Sequence, residues 1–406
     1  MPHDLRVLDV TRLASRLGRG ALTGIDRVEL AYARRFLEGN VPALALLRTA
    51  AGVVVLRAGA LRWIAERAEG APLPARRDLL ARLTRRGNPV QGAVETALRG
   101  FALRRAPMAL AGVALRRAFA GRRVGYYNVG HSNLSGRMLR ALRAVPGLEI
   151  VVMIHDTIPL DHPEFARPGT VQPFRARLAA VSAHAHRVIH ITADARARTE
   201  AQMARLGRVP PGIVAPIGVT PAAPDPAALP PGLPLDRPWF VALGTIEPRK
   251  NIGLLLDVWE AMAAAGRAPP RLFILGGRGW AGADLLARLD ALPPDGPVRV
   301  LQGLGDGAVA ALLAGAEALL FPSMAEGFGL PPLEAAALGT PVIAGDLAVT
   351  KELLGDYAVY LPLEDRYPWQ HKIEERTENP GRLRGQGMGR ALPAWEDHFN
   401  RVLSLE

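Results

Sequence analysis

The stretch MAEGFGLPPLEAAALGTPV, residues 324–342, sets Glu326 and Glu334 eight positions apart, with two glycines, a phenylalanine and a double proline between them. The apolar run Ala318–Phe321 just before it reads as a strand, so residues 322–329 form the loop leaving its carboxyl end. Pro331 and Pro332 suit the first positions of a helix, where a missing N–H costs nothing and φ is already set. Glu334 is then expected in the first turn of that helix and Glu326 on the loop before it. Gly327 and Gly329 remove Cβ atoms and let another group approach closely. The free amides of residues 327–330, with the positive end of the helix, form an anion site. The two carboxylates would repel the anion itself. They suit hydroxyl groups, which donate to them, as on a sugar or a ribose.

Outward from this stretch, short apolar runs alternate with helical patterns. Trp239–Leu243, Arg271–Leu275, Val298–Leu301, residues 341–344 and Ala358–Leu361 read as further strands. Residues 252–264, 285–292, 307–314 and 332–338 read as helices. Such alternation predicts an α/β domain with a parallel sheet, helices on both faces and ligand sites at the carboxyl ends of the strands. Residues 220–238 are proline-rich and read as a linker. The first half alternates less cleanly, with strands expected over 7–10, 41–47, 125–127, 150–154 and 187–191. Helices are expected there over 25–37, 135–144, 174–185 and 195–206. Two α/β domains in series result: residues 1–219, interrupted by 57–123, and residues 239–380. A helix is expected within 381–406.

The chain has 406 residues and a net charge of +12, and it has no cysteine. That excludes a disulfide framework or a thiolate metal site and suits a reducing cytoplasm. The opening MPHDLRVLDVTRL carries charges where the apolar part of a secretory signal would lie. Residues 57–123 hold fifteen arginines against Glu66, Glu69, Asp78 and Glu95, so nearly all the excess charge is local. Val94, Leu98, Phe101 and Ala102 mark one helix face there, and Leu110, Val113 and Ala114 another. The segment reads either as a solvated insertion or as a site for an anionic partner. An anionic membrane surface is the partner expected. Nucleic acid is not, because only Trp63, Phe101 and Phe119 could stack on bases.

Three further places carry chemistry. LGTIEPRKN, residues 243–251, puts Arg249 and Lys250 at the end of a strand. The chain has three lysines against 47 arginines, so Lys250 suggests a need for a compact point charge such as a phosphate oxygen attracts. VVMIHDTIPLDHP, residues 151–163, ends a strand at His155 and Asp156. Five of the nine histidines fall between His155 and His190, yet no carboxylate has metal-ligand spacing, so His184, His186 and His190 read as structural. Gly276 to Gly279 follow a strand without the dinucleotide-binding spacing, which disfavours a dehydrogenase or epimerase. GRGALTGIDRVE, residues 18–29, is either a ligand loop at Gly24 or an ordinary flexible connection.

With these residues assembled, the chain resembles the retaining family 4 glycosyltransferases, which have the GT-B fold of two Rossmann-like domains facing across a cleft. The signature Glu326-x7-Glu334 carries the resemblance, and GTIEPRKN, HDTIPL and TGIDRVE support it; residues 1–50 and 124–365 are covered. The resemblance implies that Glu326 contacts the transferred sugar and Glu334 the nucleotide ribose. Arg249 and Lys250 would hold the diphosphate, with Gly244, Gly277, Gly327, Phe328, Gly329 and Leu330 around the donor. His155 would sit beside the sugar in the acceptor-side domain, with Gly24 and Asp156 near the acceptor or phosphates. Two positions depart from the family pattern. Gly244-Thr245 stands where Gly-Arg is usual, so Arg249 takes that arginine's role, and GDLAVTKELL leaves only Glu352 for a usual Pro-Glu glutamate.

The implied activity is transfer of a hexose from a nucleotide sugar, GDP-mannose among the candidates, to a glycan or lipid-linked acceptor in cell-surface polysaccharide synthesis. With no Asp-x-Asp pair, neither metal nor other cofactor is required. The expected location is cytoplasmic, peripheral to the inner face of the membrane, and the C-terminal helix returns to the first domain. The competing readings are a degenerate polyanion- or membrane-binding scaffold and a nucleotide-sugar epimerase or dehydrogenase.

Overall fold

Two sheets organise the chain in the computed structural model, which describes residues 3–20, 22–85, 87–381 and 391–404. The first contains β1 (Leu5–Asp9), β2 (Ala43–Thr49), β3 (Gly52–Arg57), β4 (Ala102–Ala106), β5 (Val124–Asn128), β6 (Leu148–Ile154), β7 (Arg187–His190) and β8 (Gly212–Val214). They lie in the order β4-β3-β2-β1-β5-β6-β7-β8. The second contains β9 (Trp239–Leu243), β10 (Arg271–Leu275), β11 (Val298–Leu301), β12 (Ala318–Phe321), β13 (Val342–Gly345) and β14 (Ala358–Leu361). Their order is β11-β10-β9-β12-β13-β14, and every pair is parallel. Strands buried on both faces need continuous apolar runs, which is why FVA and LFIL were legible as strands.

The order of each sheet reverses at one point. In the second sheet β9 and β12 are neighbours, so the loops at their carboxyl ends, 244–251 and 322–329, meet. In the first sheet β1 lies beside β5, which brings the loop after β1 next to residues 129–135. These crevices are where an open α/β sheet binds ligands.

The arginine-rich segment does not interrupt the first sheet; it extends it. Residues 52–57 and 102–106 add two antiparallel strands, β3 and β4, that the helical reading of this region overlooked. Val53 and Val55 of β3 face the layer holding Phe119, and Val54 and Leu56 face the layer holding Leu98. β4 is the sheet edge, and its Arg104 and Arg105 are exposed, a charge that discourages further strand pairing. The helix Pro89–Arg99 buries Val94 and Leu98 as expected, but Ala102 belongs to β4. In the helix Ala111–Phe119 the expected stripe is wrong. Leu110 and Val113 are exposed, while Ala111, Leu115 and Phe119 face the core, because that register buries the largest side chain available.

The helix Trp395–Leu403 packs on the first domain. His398 Nε2 lies 2.7 Å from the Tyr32 hydroxyl, and the Phe399 and Tyr32 ring centroids are 5.0 Å apart. Residues 382–390, within the segment expected to return, lie outside the described residues, as do residues 405–406.

Candidate active site

Gly329, in the left-handed region at φ +90°, turns the chain from the loop after β12 into the helix Leu330–Ala337. Pro331 and Pro332 occupy its first turn, and Glu334 falls one residue into the second turn rather than the first, because Leu330 is already helical. Phe328 is buried in the core, so its backbone and not its ring is open to the loop's surface.

Glu326 is nearly sealed from solvent, with both carboxylate oxygens engaged. Oε1 accepts from Lys250 Nζ at 2.5 Å, and Oε2 pairs with Arg249 Nη1 at 2.7 Å. Arg249 also reaches the Ala325 carbonyl at 2.9 Å and Glu247 at 2.6 Å, and Lys250 Nζ sits 4.7 Å above the Phe321 ring. Burial works against the charge of Glu326, but Arg249 and Lys250 outweigh it and bring the pKa down to about 2. Burial likewise opposes the charge on Arg249, and Glu326 with Glu247 raises its pKa above the ordinary value. Lys250 is lowered, chiefly by burial. Two oriented cations thus stand at the N-terminus of a helix, desolvated and held by a carboxylate.

The floor beside them is glycine. Gly244 and Gly276 both have φ near +150°, and a Cβ on Gly276 would lie 2.1 Å from the Gly244 carbonyl oxygen. Gly244 and Gly277 line a cavity of about 410 Å³ that also includes Leu330, Glu334 and, from the first domain, Gly24 and Arg27. Burial raises the pKa of Glu334, and Arg27 opposes the rise. Arg27 was not singled out from the sequence, although TGIDRVE contains it. It donates to Glu334 at 3.3 Å and to Asp306 at 2.8 Å. Thr23 and Asp26 form the capping box that starts its helix, Gly24–Glu38, and so aim it across the cleft.

The two domains touch at Gly327. A Cβ there would fall 2.6 Å from the His155 carbonyl oxygen and 2.9 Å from Asp156 Cβ, so no other residue fits. Asp156 and Glu326 line one narrow cavity. His155 is turned inward: Nε2 donates to the Val129 carbonyl at 2.7 Å, and burial lowers its pKa to about 4, so it is neutral near pH 7. His131, at φ +58°, accepts from the His155 amide at 3.2 Å. The site thus gathers Arg249, Lys250, Glu326 and Gly327 with Asp156, while the His155 ring stays behind them.

Glu352 accepts from the amides of Ala193 and Asp194 at 2.7 and 3.1 Å and so caps a first-domain helix from the second domain. Among the described residues no group of three His, Cys, Asp or Glu side chains is placed to hold a metal.

Residues 230–377 match the model of the family described as glycosyl transferases group 1. Over that part, somewhat more than a third of its length, the chain is similar to the glycosyl transferases of group 1. The chain is 32% identical over 237 residues to the serotype-specific mannosyltransferase WbdA of Escherichia coli, covering 55% of this chain and 29% of that one. It is 36% identical over 114 residues to the O-antigen chain mannosyltransferase B of Escherichia coli, covering 28% of this chain and 30% of that one. It is 27% identical over 325 residues to the D-inositol 3-phosphate glycosyltransferase of Gordonia bronchialis, covering 71% and 67%. The chain therefore spans less than a third of the two mannosyltransferases. Among solved structures, HepE of Anabaena in complex with UDP and glucose superposes with a TM-score of 0.60 at 15% identity, covering 99% of this chain and 95% of that one. The sucrose-phosphate synthase of Thermosynechococcus elongatus gives 0.58 at 16% identity, covering 99% and 94%. The fold is GT-B.

Proposed function

We propose that the chain is a retaining hexosyltransferase. It moves a hexose from a nucleotide sugar to a glycan or lipid-linked acceptor in cell-surface polysaccharide synthesis, in the cytoplasm. Mannose from GDP-mannose leads the candidates, since relatives of this chain are mannosyltransferases by name. The observation carrying the reading is the convergence of Arg249 and Lys250 on Glu326 at the helix N-terminus, with Glu334 on the same helix.

A departing nucleoside diphosphate gains negative charge, which Arg249, Lys250 and the amides of residues 327–330 stabilise. These cations are desolvated before the donor arrives, so little reorganisation accompanies the reaction. As the diphosphate takes over the cations, Glu326 accepts from hydroxyls of the transferred sugar and Glu334 from the ribose. The acceptor hydroxyl attacks from the face the phosphate leaves, giving its proton to that phosphate, and anomeric configuration is kept. Two side-chain cations serve the diphosphate, so this mechanism calls for no divalent metal.

A thermal-shift screen against nucleotides and nucleotide sugars tests the reading, because a ligand of the folded state alone raises Tm. GDP and GDP-mannose are expected to raise it, and product analysis by NMR to show retained configuration. No shift with any nucleotide would overturn the proposal.

A further inference from the structure

Ten large apolar side chains stand out as exposed among the described residues, and seven of them fall between Leu79 and Val113. The same stretch lies inside the segment with fifteen arginines. The concentration is greatest in the helix Leu79–Thr84, LLARLT, where only Ala81 is buried. Leu79 is 73% exposed, Leu83 55% and Leu80 38%. An exposed leucine alone needs no explanation, but three on one turn and a half of helix do.

This helix is not a loose loop. Asp78 caps it by accepting from the Ala81 amide at 2.8 Å, and Asp78 is itself held by Arg99 at 2.6 Å. Arg85, at its far end, pairs with the buried Glu95 at 2.7 Å. The helix is thus fastened to its neighbour Pro89–Arg99 with its leucines outward. Arg76 and Arg82 flank them, exposed and in no ion pair among the described residues, and Arg104 and Arg105 are exposed on the edge strand β4. All four carboxylates of the segment already have arginine partners, so they do not offset these charges.

We propose that the helix Leu79–Thr84 is a membrane anchor, its leucines entering the headgroup region of an anionic bilayer while the surrounding arginines hold lipid phosphates. Exposed leucines beside free cations are what interfacial binding requires. A second copy of the chain fits poorly, because a two-fold contact would set one strongly cationic face against another. Nucleic acid fits poorly as well, since the side chains offered are leucines and not stacking rings. The helix to which the anchor is fastened, Pro89–Arg99, reaches towards the cleft. Val90 packs against Gly18, between the helices Thr11–Arg16 and Gly24–Glu38, and Gly24 and Arg27 of the second stand in the cavity wall. A lipid-borne acceptor would leave the bilayer beside the site that uses it. The apolar stripe marked by Val94 and Leu98 is instead turned into the core, so it is not the element offered to a bilayer.

Flotation of the full chain with phosphatidylglycerol-containing vesicles, against pure phosphatidylcholine vesicles, tests this without any donor, so its outcome is independent of the transfer proposed above. The wild type is expected to float with the anionic vesicles only, less so at high salt. Leu79→Ser with Leu83→Ser should lower the partition coefficient at least about tenfold with Tm unchanged, since both side chains are exposed. Arg76→Gln with Arg82→Gln should lower it by about fivefold per arginine engaged. The proposal is overturned if the wild type ignores anionic vesicles at low salt, or if the leucine variant floats as well as the wild type. It is overturned equally if sedimentation shows that the leucine variant only splits a dimer.

Discussion

Arg27 Nη1 of the first domain lies 3.3 Å from Glu334 Oε1 of the second, a pair 307 positions apart in sequence. The carboxylate proposed to accept from a ribose is thus already accepting from a guanidinium, and Asp306 beside it accepts from the same group. A ribose accepted by that same oxygen would compete with Arg27.

Arg27→Gln is therefore expected to tighten binding of a bare nucleoside. The guanidinium is 38% exposed, so the pair contributes under about 1 kcal/mol and the gain is at most about fivefold. Calorimetric titration with guanosine checks this. Unchanged or weaker binding would show that Arg27 does not compete for the ribose site.

Glu326→Gln and Glu334→Gln should fail differently. The first leaves Lys250 without its buried counter-charge and Arg249 with Glu247 alone, a loss of about 3–5 kcal/mol in stability, and lowers kcat. The second should mainly raise the donor KM. Steady-state kinetics with Tm measurements separate the two, and equal losses of stability with normal turnover by the folded fraction would reject the assignment.

Gly327→Ala puts a methyl into the His155 carbonyl and Asp156. Because the His155 carbonyl is backbone and cannot swing aside, the clash is relieved by parting the domains. Turnover should fall by about a hundredfold or more while each domain stays folded. Small-angle scattering should show a larger radius of gyration, and an unchanged one with full activity would contradict the contact.

Acid should loosen the clasp of the C-terminal helix. Burial brings the pKa of His398 down to about 4 from an ordinary 6.5. Its contribution is fully present above pH 6.5 and is lost as pH falls from there towards 4, amounting to about 3 kcal/mol. His155 and His190, also lowered to about 4 by burial, act in the same direction and window. Denaturant melts between pH 7 and 4 should show His398→Phe with a shallower loss than the wild type. Parallel curves would refute the assignment.

Activity should survive EDTA, because Arg249 and Lys250 supply the positive charge at the diphosphate. Lys250→Ala should cost far more turnover than Lys372→Ala, whose lysine pairs at 2.5 Å with half-exposed Glu375. Loss of activity in chelator, restored by magnesium or manganese, would show that a metal is needed.

The second sheet was legible because its strands are short apolar runs cut off by glycine or proline. A parallel strand buried on both faces leaves that trace whatever surrounds it. Glu326, Glu334, Arg249 and Lys250 were legible for a related reason: each follows a strand closely, and the carboxyl edge of such a sheet is where ligands bind. β4 was not legible, because ALRRA is an edge strand with two arginines facing solvent, and its pairing partner β3 lies 45 residues earlier. Nor was the face of Ala111–Phe119, where two helical registers are both apolar and only packing against the sheet chooses between them.

The sequence by itself determined two α/β units and the chemistry at the ends of their strands, since local periodicity and the loops that end it depend on near neighbours alone. The tertiary structure decided which of those groups meet. It set Gly327 against His155, Arg27 against Glu334, and the leucines of Leu79–Thr84 outward. Such contacts join residues up to hundreds of positions apart, and no local pattern encodes which of two apolar faces the rest of the chain will cover.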